Sequence, residues 1–215
     1  MAEIHLANVW VEFPDKKFGE RTSYSALKDI SIDLQSGDRL GIIGPNGSGK
    51  TTFLRVLTHI YPPTKGEYRS AGTIGSMLSL NAGIDGRISG RDNIMFRSRL
   101  LGRSRKLALE TVEDACDFGG LKDSIDQPVE TYSSGMKMRM AFCIATAFPS
   151  QILVMDEWLS VGDKSFREQA RGRMRRLVSE TEILVLASNK EREIKNMCNQ
   201  FMLLDNGVAH FEASL

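Results

Sequence analysis

The sequence predicts an α/β fold whose main sheet is mostly parallel and covered by helices. Three observations support this prediction. A glycine-rich loop separates a short apolar segment from a helical pattern within residues 40–59, and residues 90–148 carry apolar side chains three and four apart. After residue 150, short apolar segments alternate with helical patterns. We therefore expect one domain over residues 1–215, with a helical insertion at about residues 85–148.

The amino-terminal elements follow from alternation and from residues that break regular structure. Residues 30–34 alternate apolar and polar side chains, which indicates a strand within a β-rich first forty residues. Residues 40–43 form a short apolar strand, and a helix over residues 50–59 ends before a Tyr-Pro-Pro sequence. Residues 67–80 are predicted to be further strand.

Helices and strands fill the rest of the chain. Helical periodicity marks residues 93–101, 104–118, 136–148, 164–180 and 190–198. The apolar segments of strand length are residues 152–155, 183–187, 201–204 and 208–211. An Asp-Asn-Gly sequence separates the last two strands, and it is a strong signal for a tight hairpin turn.

Composition indicates a soluble globular protein and excludes several other classes. With 41% hydrophobic and 26% charged residues, the chain is neither disordered nor a disulfide scaffold. Its 28 basic and 27 acidic residues give a net charge of +1, which argues against a general nucleic-acid binder. The three cysteines fit no metal framework and indicate reduced thiols. Because neither a membrane span nor a secretory signal is visible, we expect a cytosolic protein or one attached to the cytosolic side of a membrane.

The sequence GPNGSGKT at residues 44–51 matches the phosphate-binding P-loop pattern, and it lies between a predicted strand and a predicted helix. By chance, this pattern arises in about one chain of this length in a hundred. Its glycines let backbone N–H groups face phosphate oxygens, so we expect Lys50 to contact the β- and γ-phosphates and Thr51 to bind Mg²⁺. The expected nucleotide-binding residues here are Gly44, Asn46, Gly47, Ser48, Gly49, Lys50, Thr51 and Thr52.

An apolar strand that ends in carboxylates, ILVMDE at residues 152–157, is the second motif. Alone, such an acidic strand end is more often a solvated surface. Downstream of a P-loop it indicates the Walker B arrangement, in which Asp156 binds Mg²⁺ and Glu157 polarises the attacking water.

A third motif, YSSGM at residues 132–136, lies shortly before the acidic strand end. With the first two motifs, it makes residues 3–211 resemble the nucleotide-binding domain of ATP-binding-cassette (ABC) transporters. The resemblance implies a P-loop NTPase core with an antiparallel β subdomain and the inserted helical subdomain. In that family, a Leu-Ser-Gly-Gly-Gln sequence here contacts the γ-phosphate held by a partner subunit. Ser133 and Gly135 match this pattern, whereas Tyr132, Ser134 and Met136 differ from it.

The residues around the Walker B strand make the resemblance more specific within the ABC family. The sequence SVGD at residues 160–163 looks like the family's D-loop, in which Asp163 reaches across a dimer. The combination of YSSGMK and DEWLSVGD is similar to ATPase subunits that export capsule, O-antigen and teichoic acid in bacteria. Some of these subunits carry an appended carbohydrate-binding domain. Because this sequence ends at Leu215, we expect the short capsule type.

Three other family positions are less well matched. The aromatic residue that stacks on adenine corresponds to Phe13, with Tyr24 as a second candidate. No glutamine follows the strand where the family has its Q-loop, and Ser79 or Asn81 is the nearest substitute. Where the family has its switch histidine, Asn189 stands in this chain.

A basic stretch over residues 85–106 has two interpretations. It is either a solvated helix face or a surface that lies beside a permease and anionic lipid headgroups. The basic residues of the stretch are Arg87, Arg91, Arg97, Arg99, Arg103, Arg105 and Lys106.

The resemblance implies an ATP-hydrolysing subunit that closes as a homodimer over two ATP with Mg²⁺. It would drive an integral-membrane permease that exports a lipid-linked polysaccharide, and it would lie peripherally on the cytoplasmic face of the inner membrane without binding nucleic acid. Because the switch histidine and Q-loop glutamine are missing, one alternative is a slow ATPase that switches on ATP binding. Another is a P-loop small-molecule kinase. A chromosome- or ribosome-type ATPase is disfavoured by the near-neutral charge.

Overall fold

The computed structural model describes residues 1–15, 22–78, 80, 83–157 and 164–212. The chain divides into a core unit, formed by Met1–Leu78, Ser150–Trp158 and Val178–Leu215, and a helical unit, formed by Ser79–Pro149 and Leu159–Leu177. Among the described residues, no helix combines the length and the apolar character needed to cross a bilayer.

The elements alternate largely as the sequence patterns predict. The strands are β1 (Glu3–Asp15), β2 (Thr22–Gln35), β3 (Arg39–Ile43), β4 (Lys65–Ala71), β5 (Ile74–Met77), β6 (Ile152–Asp156), β7 (Ile183–Ala187), β8 (Gln200–Asp205) and β9 (Val208–Glu212). The α-helices are α1 (Lys50–Leu57), α2 (Gly90–Leu100), α3 (Arg105–Asp117), α4 (Ser134–Thr146), α5 (Lys164–Glu180) and α6 (Glu191–Met197).

In the described part of the chain, two sheets build the core unit. Strands β2, β1 and β4 form an antiparallel sheet, and the second sheet has the order β5-β6-β7-β3-β8-β9. In the six-stranded sheet, β8 and β9 pair antiparallel and the other neighbouring strands are parallel. All five residues of β7 are buried, which is typical of a central parallel strand. The predicted α/β fold with a mostly parallel sheet is confirmed.

The strand order brings the chemically important ends of three strands together. Strand β7 lies between β3 and β6, with Ala187 opposite both Ile42 and Asp156. Because the three strands are parallel, their carboxyl ends meet at one edge of the sheet. The P-loop leaves β3 at this edge, and the carboxylates follow β6 there. Helix α1 stabilises the arrangement by burying Phe53 and Leu57 in the same core.

The predicted extended structure over residues 67–80 is present, but it is divided between two strands, the second of which ends at Met77. The segment forms β4, which pairs with β1 in the antiparallel sheet, and β5, which pairs with β6 in the parallel sheet. Gly72 lies between them with φ of 110°, in a region that side chains disfavour. Apolar content indicated extended backbone but did not show that the chain changes sheets at this glycine.

The helical unit has an apolar core of its own. Ile94 of α2, Val112 of α3 and Ile144 of α4 are buried together in it. Tyr132 belongs to the same core, and its hydroxyl donates a 2.6 Å hydrogen bond to the carbonyl of Ser124. The first departure from the family's Leu-Ser-Gly-Gly-Gln sequence is therefore a buried core residue.

Most guanidinium groups of the basic stretch are engaged within the helical unit. Arg87 and Arg91 form ion pairs with Asp85 and Asp126, respectively. Arg97 donates to the carbonyl of Leu80 at 2.7 Å. Arg103 likewise donates to a carbonyl, that of Ile144, at 2.9 Å. The hypothesis of a docking surface is accordingly left with Arg99 and Arg105, which are exposed, and with Lys106, which is exposed but lies 4.0 Å from the Glu110 carboxylate.

Glu182 joins separate parts of the core unit through hydrogen bonds. Its carboxylate accepts from Ser36 Oγ at 2.5 Å, from the Ala2 amide at 2.7 Å and from Gln151 Nε2 at 2.9 Å. These bonds, that from Ser36 foremost, lower the pKa of the Glu182 carboxyl from 4.5 to about 2. The charged form therefore holds the start of β1 beside β6 and β7.

We expect this carboxylate to make the protein sensitive to acid. Because its pKa is lower in the folded state, it contributes stability above pH 4.5 that is lost as the pH falls towards about 2. Thermal unfolding of Glu182→Gln between pH 2 and 6 should show a weaker decline of Tm in acid than the wild type shows. Glu3→Gln, at an exposed position of β1, is the control and should keep the wild-type decline. Equal acid dependence in the wild type and Glu182→Gln would contradict this role.

Candidate nucleotide-binding site

A cavity of about 660 Å³ lies at the edge where the parallel strands end. This volume is in the ordinary range for small-molecule sites. Among the residues that the structure describes, those lining the cavity belong to the core unit: Phe13, Tyr24, Ala26, Asn46, Gly47, Gly49, Lys50, Thr51, Thr52, Leu78, Asp156, Glu157 and Asn189. The cavity thus brings together residues of the P-loop, the Walker B strand and the switch position.

The P-loop wraps the amino-terminal end of α1. Gly47 and Gly49 have φ of 83° and 111°, a positive-φ conformation that residues with a side chain disfavour. The Lys50 ammonium donates to the carbonyls of Gly44 at 2.5 Å and Pro45 at 3.0 Å, so it lies over the loop. A cation above inward-facing amides at a helix amino terminus is suited to phosphate.

Ser48 has an unpaired hydroxyl inside the loop. Its side chain is 3% exposed, and its Oγ has no hydrogen-bond partner among the residues that the structure describes. Buried hydroxyl groups are nearly always hydrogen-bonded, so this group is an exception among the described residues. Ser48 does not line the cavity, and neither does Gly44, whose carbonyl accepts from Lys50.

Thr51 and Asp156 present oxygen atoms to the cavity. The Thr51 hydroxyl donates a 2.9 Å hydrogen bond to Asp156 Oδ2. No group of three or more His, Cys, Asp or Glu side chains suited to a metal occurs in the described ranges. Mg²⁺ needs few protein ligands when phosphate and water complete its shell, so a hydroxyl and a carboxylate at this position fit that ion.

Glu157 adopts an unusual backbone conformation beside Asp156. Its φ is 67°, and its amide donates a 2.7 Å hydrogen bond to the carbonyl of Ala187. A non-glycine residue in this region costs roughly 1–3 kcal/mol, which the surrounding contacts must offset. The hydrogen bond to β7 fixes this conformation, and Glu157 lines the cavity.

Asn189 follows β7 directly and lies beside the P-loop. Its Nδ2 donates to Asn46 Oδ1 at 3.3 Å. The preceding residue, Ser188, is buried, and its Oγ donates to Glu193 Oε2 at 3.0 Å while its amide donates to the carbonyl of Ile42. Hydrogen bonds on both sides thus hold the switch position, and Asn189 presents its amide to the cavity.

The two aromatic candidates are neighbours across β1 and β2. Phe13 lies opposite Tyr24, and both line the cavity. Phe13 packs against the core, with its ring edge-on to Tyr61 at 5.4 Å. Tyr24 is 53% exposed and therefore has a free surface for stacking. These contacts favour Tyr24 over Phe13 as the base-stacking residue.

Two further predicted residues, Ser133 and Gly135, do not line this cavity. Ser133 caps α4 by accepting a 3.2 Å hydrogen bond from the Met136 amide, and Gly135 lies in the first turn of that helix. Both belong to the helical unit. Asp163 and the Q-loop candidates Ser79 and Asn81 lie outside the described residues.

The sequence patterns missed two lining residues, Ala26 and Leu78. Leu78 directly follows β5 at the carboxyl edge of the parallel sheet. That position could have indicated that Leu78 lines the cavity. Ala26 carries no chemical signal, because its contribution depends on how β2 lies against the P-loop.

Comparison with known proteins identifies the class to which this site belongs. The family model described as ABC transporter matches residues 27–160, which is more than half of the chain. The chain therefore belongs to the ABC transporter family, and the predicted nucleotide-binding ATPase domain of that family is confirmed.

Two similar relatives are named for polysaccharide export. The chain is 40% identical to the O-antigen export system ATP-binding protein RfbE of Yersinia enterocolitica, over 91% of this chain and 82% of that protein. It is 37% identical to the teichoic acids export ATP-binding protein TagH of Shouchella clausii, over 91% of this chain. The chain spans 54% of that TagH protein.

Solved structures support the fold. The dimeric post-hydrolysis structure of the ATP-binding cassette MJ0796, bound to ADP and Pi, matches 97% of both chains with a TM-score of 0.73. Sequence identity to it is 20%, so this likeness concerns the architecture alone.

The aromatic pair gives a direct test of the site. We expect Tyr24→Ala to weaken ATP binding by roughly five- to a hundredfold, because base stacking is worth about 1–3 kcal/mol. Tyr24→Phe retains the ring and should bind like the wild type, and Phe13→Leu should change affinity less than about threefold. Isothermal titration calorimetry measures all three. A larger loss in Phe13→Leu than in Tyr24→Ala would assign the stacking to Phe13 instead.

Proposed function

We propose that this chain is the ATP-hydrolysing subunit of an ABC exporter for a cell-surface polysaccharide. The observation that carries the proposal is that Lys50, Asp156 and Glu157 line one cavity. The two acidic residues follow the lysine by 106 and 107 positions in the sequence, so the fold brings them together. The names of the relatives in O-antigen and teichoic acid export support the choice of cargo.

The cavity residues support hydrolysis in a defined way. Lys50 and the loop amides bind the phosphates of ATP, and Tyr24 stacks on the base. Thr51 and Asp156 hold Mg²⁺, which neutralises phosphate charge when bound. Glu157 accepts a proton from a water whose oxygen attacks the γ-phosphorus, while the bond from that phosphorus to the bridging oxygen breaks. Asn189 donates a hydrogen bond to a γ-phosphate oxygen.

The active form we propose is a homodimer that closes over two ATP molecules. Ser133 and Gly135 of one protomer would complete the site of the other, with Asp163 reaching across the interface. Ser133 is exposed at the amino end of α4, where helix amides favour a negative charge. The dimeric structures of the similar cassette MJ0796 support this assembly for the fold.

The proposed partners are an integral-membrane permease and the lipid-linked polysaccharide that it moves. Export names among the relatives support a permease, because an ATP-binding subunit needs a separate membrane path for its cargo. We place the subunit peripherally at the cytoplasmic face of the cell membrane, where ATP is available.

A slower ATPase that switches on ATP binding is the second candidate. The observation that favours it is that Asn189, at the switch position, contacts Asn46 of the P-loop. The Asn189 side chain is shorter than that of histidine and does not titrate near neutral pH, so it makes a weaker substitute for the family's histidine. The kinase alternative has no such support now that the chain belongs to the ABC transporter family.

The proposed function predicts a trapped dimer. Glu157→Gln keeps the shape of the side chain but loses the base, so ATP with Mg²⁺ should convert the variant to a stable dimer with hydrolysis near zero. Light scattering after gel filtration should give about twice the 23.9 kDa mass of one chain. In cells, the same variant should stop surface polysaccharide from appearing while lipid-linked polymer accumulates.

Glu191→Gln, on the exposed face of α6, is the matched control and should hydrolyse ATP like the wild type. A Glu157→Gln variant that stays monomeric and hydrolyses ATP at the wild-type rate would refute the role of Glu157.

Asn189 decides between the two candidates. If its amide makes only part of the histidine contact, Asn189→His should raise kcat by about tenfold or more with little change in KM, since one transition-state hydrogen bond is worth about 10²–10³-fold. Asn189→Ala should be slower than the wild type. Steady-state hydrolysis measures both. An alanine variant as fast as the wild type would show that Asn189 has no role, and a slower histidine variant would show that the site is built around Asn.

A further inference from the structure

The turn between β8 and β9 lies against the back of the P-loop. Asn206 and Gly207 form it with φ of 47° and 82°. The Gly207 amide donates a 2.9 Å hydrogen bond to the carbonyl of Ser48 in the P-loop. The Gly207 carbonyl accepts a 2.8 Å hydrogen bond from the Lys28 amide in β2. One residue thus bonds the P-loop with one backbone group and the antiparallel sheet with the other.

The carbonyl of Ala26 lies between two glycines, Gly207 in the turn and Gly49 in the P-loop. A Cβ on Gly207 would lie 2.8 Å from the Ala26 oxygen, and a Cβ on Gly49 would lie 2.6 Å from the same atom. Real side chains do not approach backbone this closely, so both positions need glycine. The backbone of β2 therefore passes through a narrow gap between the turn and the P-loop.

The close approach of β2 to the P-loop brings together the two sides of the cavity. Strand β2 supplies Tyr24 and Ala26 to one side, and the P-loop supplies Gly49 and Lys50 to the other. A nucleoside triphosphate has to contact both sides at once, with its base on β2 and its phosphates on the loop. The distance between β2 and the P-loop consequently determines whether one ligand can reach both.

We propose that Gly207 is a positioning residue that sets the distance between the base side and the phosphate side of the nucleotide site. The inference rests on the proposed nucleotide site and adds an element that lies outside the cavity. Gly207 touches neither base nor phosphate; it acts through Ala26 and Ser48.

The test compares Gly207→Ala with Gly37→Ala. Gly37 is a matched control, because it also lies in a turn of the core unit with a positive φ, 102°, and its amide also donates a hydrogen bond, to the carbonyl of Glu182. A Cβ there would meet no atom within 4 Å. Both variants therefore carry the backbone penalty of a side chain at positive φ, but only Gly207→Ala forces β2 away from the turn.

Two ligands separate positioning from a general loss of stability. Calorimetry with ATP probes both sides of the site, and inorganic tripolyphosphate probes the P-loop alone. For Gly207→Ala we expect ATP affinity to fall at least about tenfold and tripolyphosphate affinity less than about threefold, since loss of correct base placement forfeits stacking. Gly37→Ala should change neither by more than about threefold.

Equal losses of ATP and tripolyphosphate affinity in Gly207→Ala, or equal ATP losses in the two alanine variants, would overturn the inference. A wild-type chain that binds no ATP would instead overturn the proposed function itself. The two failures are therefore distinguishable.

Hydrogen exchange of the wild-type chain keeps the inference testable if Gly207→Ala does not fold. Because ATP would hold β2 and the P-loop together, it should slow exchange of the Gly207 amide, which bonds to Ser48, by about tenfold. The Gly37 amide should change less than about twofold, because its bond to Glu182 does not connect the two sides. Equal slowing at both amides, or none at Gly207, would contradict the positioning role.

Discussion

The hydrogen bond from Thr51 to Asp156 joins parts of the chain that are 105 residues apart, and the candidate site depends on it. This bond requires that β3 and β6 be separated in the sheet by a single strand, β7. Every element inserted between these strands, including α2, α3 and α4, has to leave this order intact. The helical unit meets that condition by forming a core of its own around residues such as Ile94 and Ile144.

The same sheet edge explains how a cavity acquires catalytic chemistry. Parallel strands deliver the P-loop, the Walker B carboxylates and the switch position to one place. Backbone hydrogen bonds then fix the orientation of the individual residues. The Glu157 amide is bonded to β7, and Ser188 is bonded to β3. The side chains that we propose to contact ligand are consequently held by main-chain contacts that the ligand does not have to create, which reduces the cost of binding.

Much of the fold was predictable because its signals are local. The apolar segments of β6 and β7, the helical periodicity of α3 and the P-loop sequence each carry their own evidence. The division of residues 65–77 between two sheets was not predictable, because it depends on which strands β4 and β5 pair with. Likewise, Arg97 looked like a surface cation until the structure showed it bonded to the Leu80 carbonyl.

The candidate site shows the same limit. Lys50, Asp156 and Glu157 were found from motifs, whereas the position of Ala26 and the proposed role of Gly207 depend on the approach of β2 and a hairpin turn to the P-loop. Tyr24 and Phe13 are equivalent by residue type. Their exposure and the contact of Phe13 with Tyr61 distinguish them.

Titration calorimetry of ATP with Mg²⁺ against the wild-type chain and Lys50→Ala tests the nucleotide site most directly. The ammonium of Lys50 lies over the P-loop, and hydrogen bonds to charged groups are worth roughly 1.5–3 kcal/mol, so its loss should weaken binding by about tenfold or more. Lys106→Ala, an exposed lysine of the helical unit, is the control and should bind ATP like the wild type. Equal ATP affinity in the wild type and Lys50→Ala would contradict the assignment of this cavity to nucleotide.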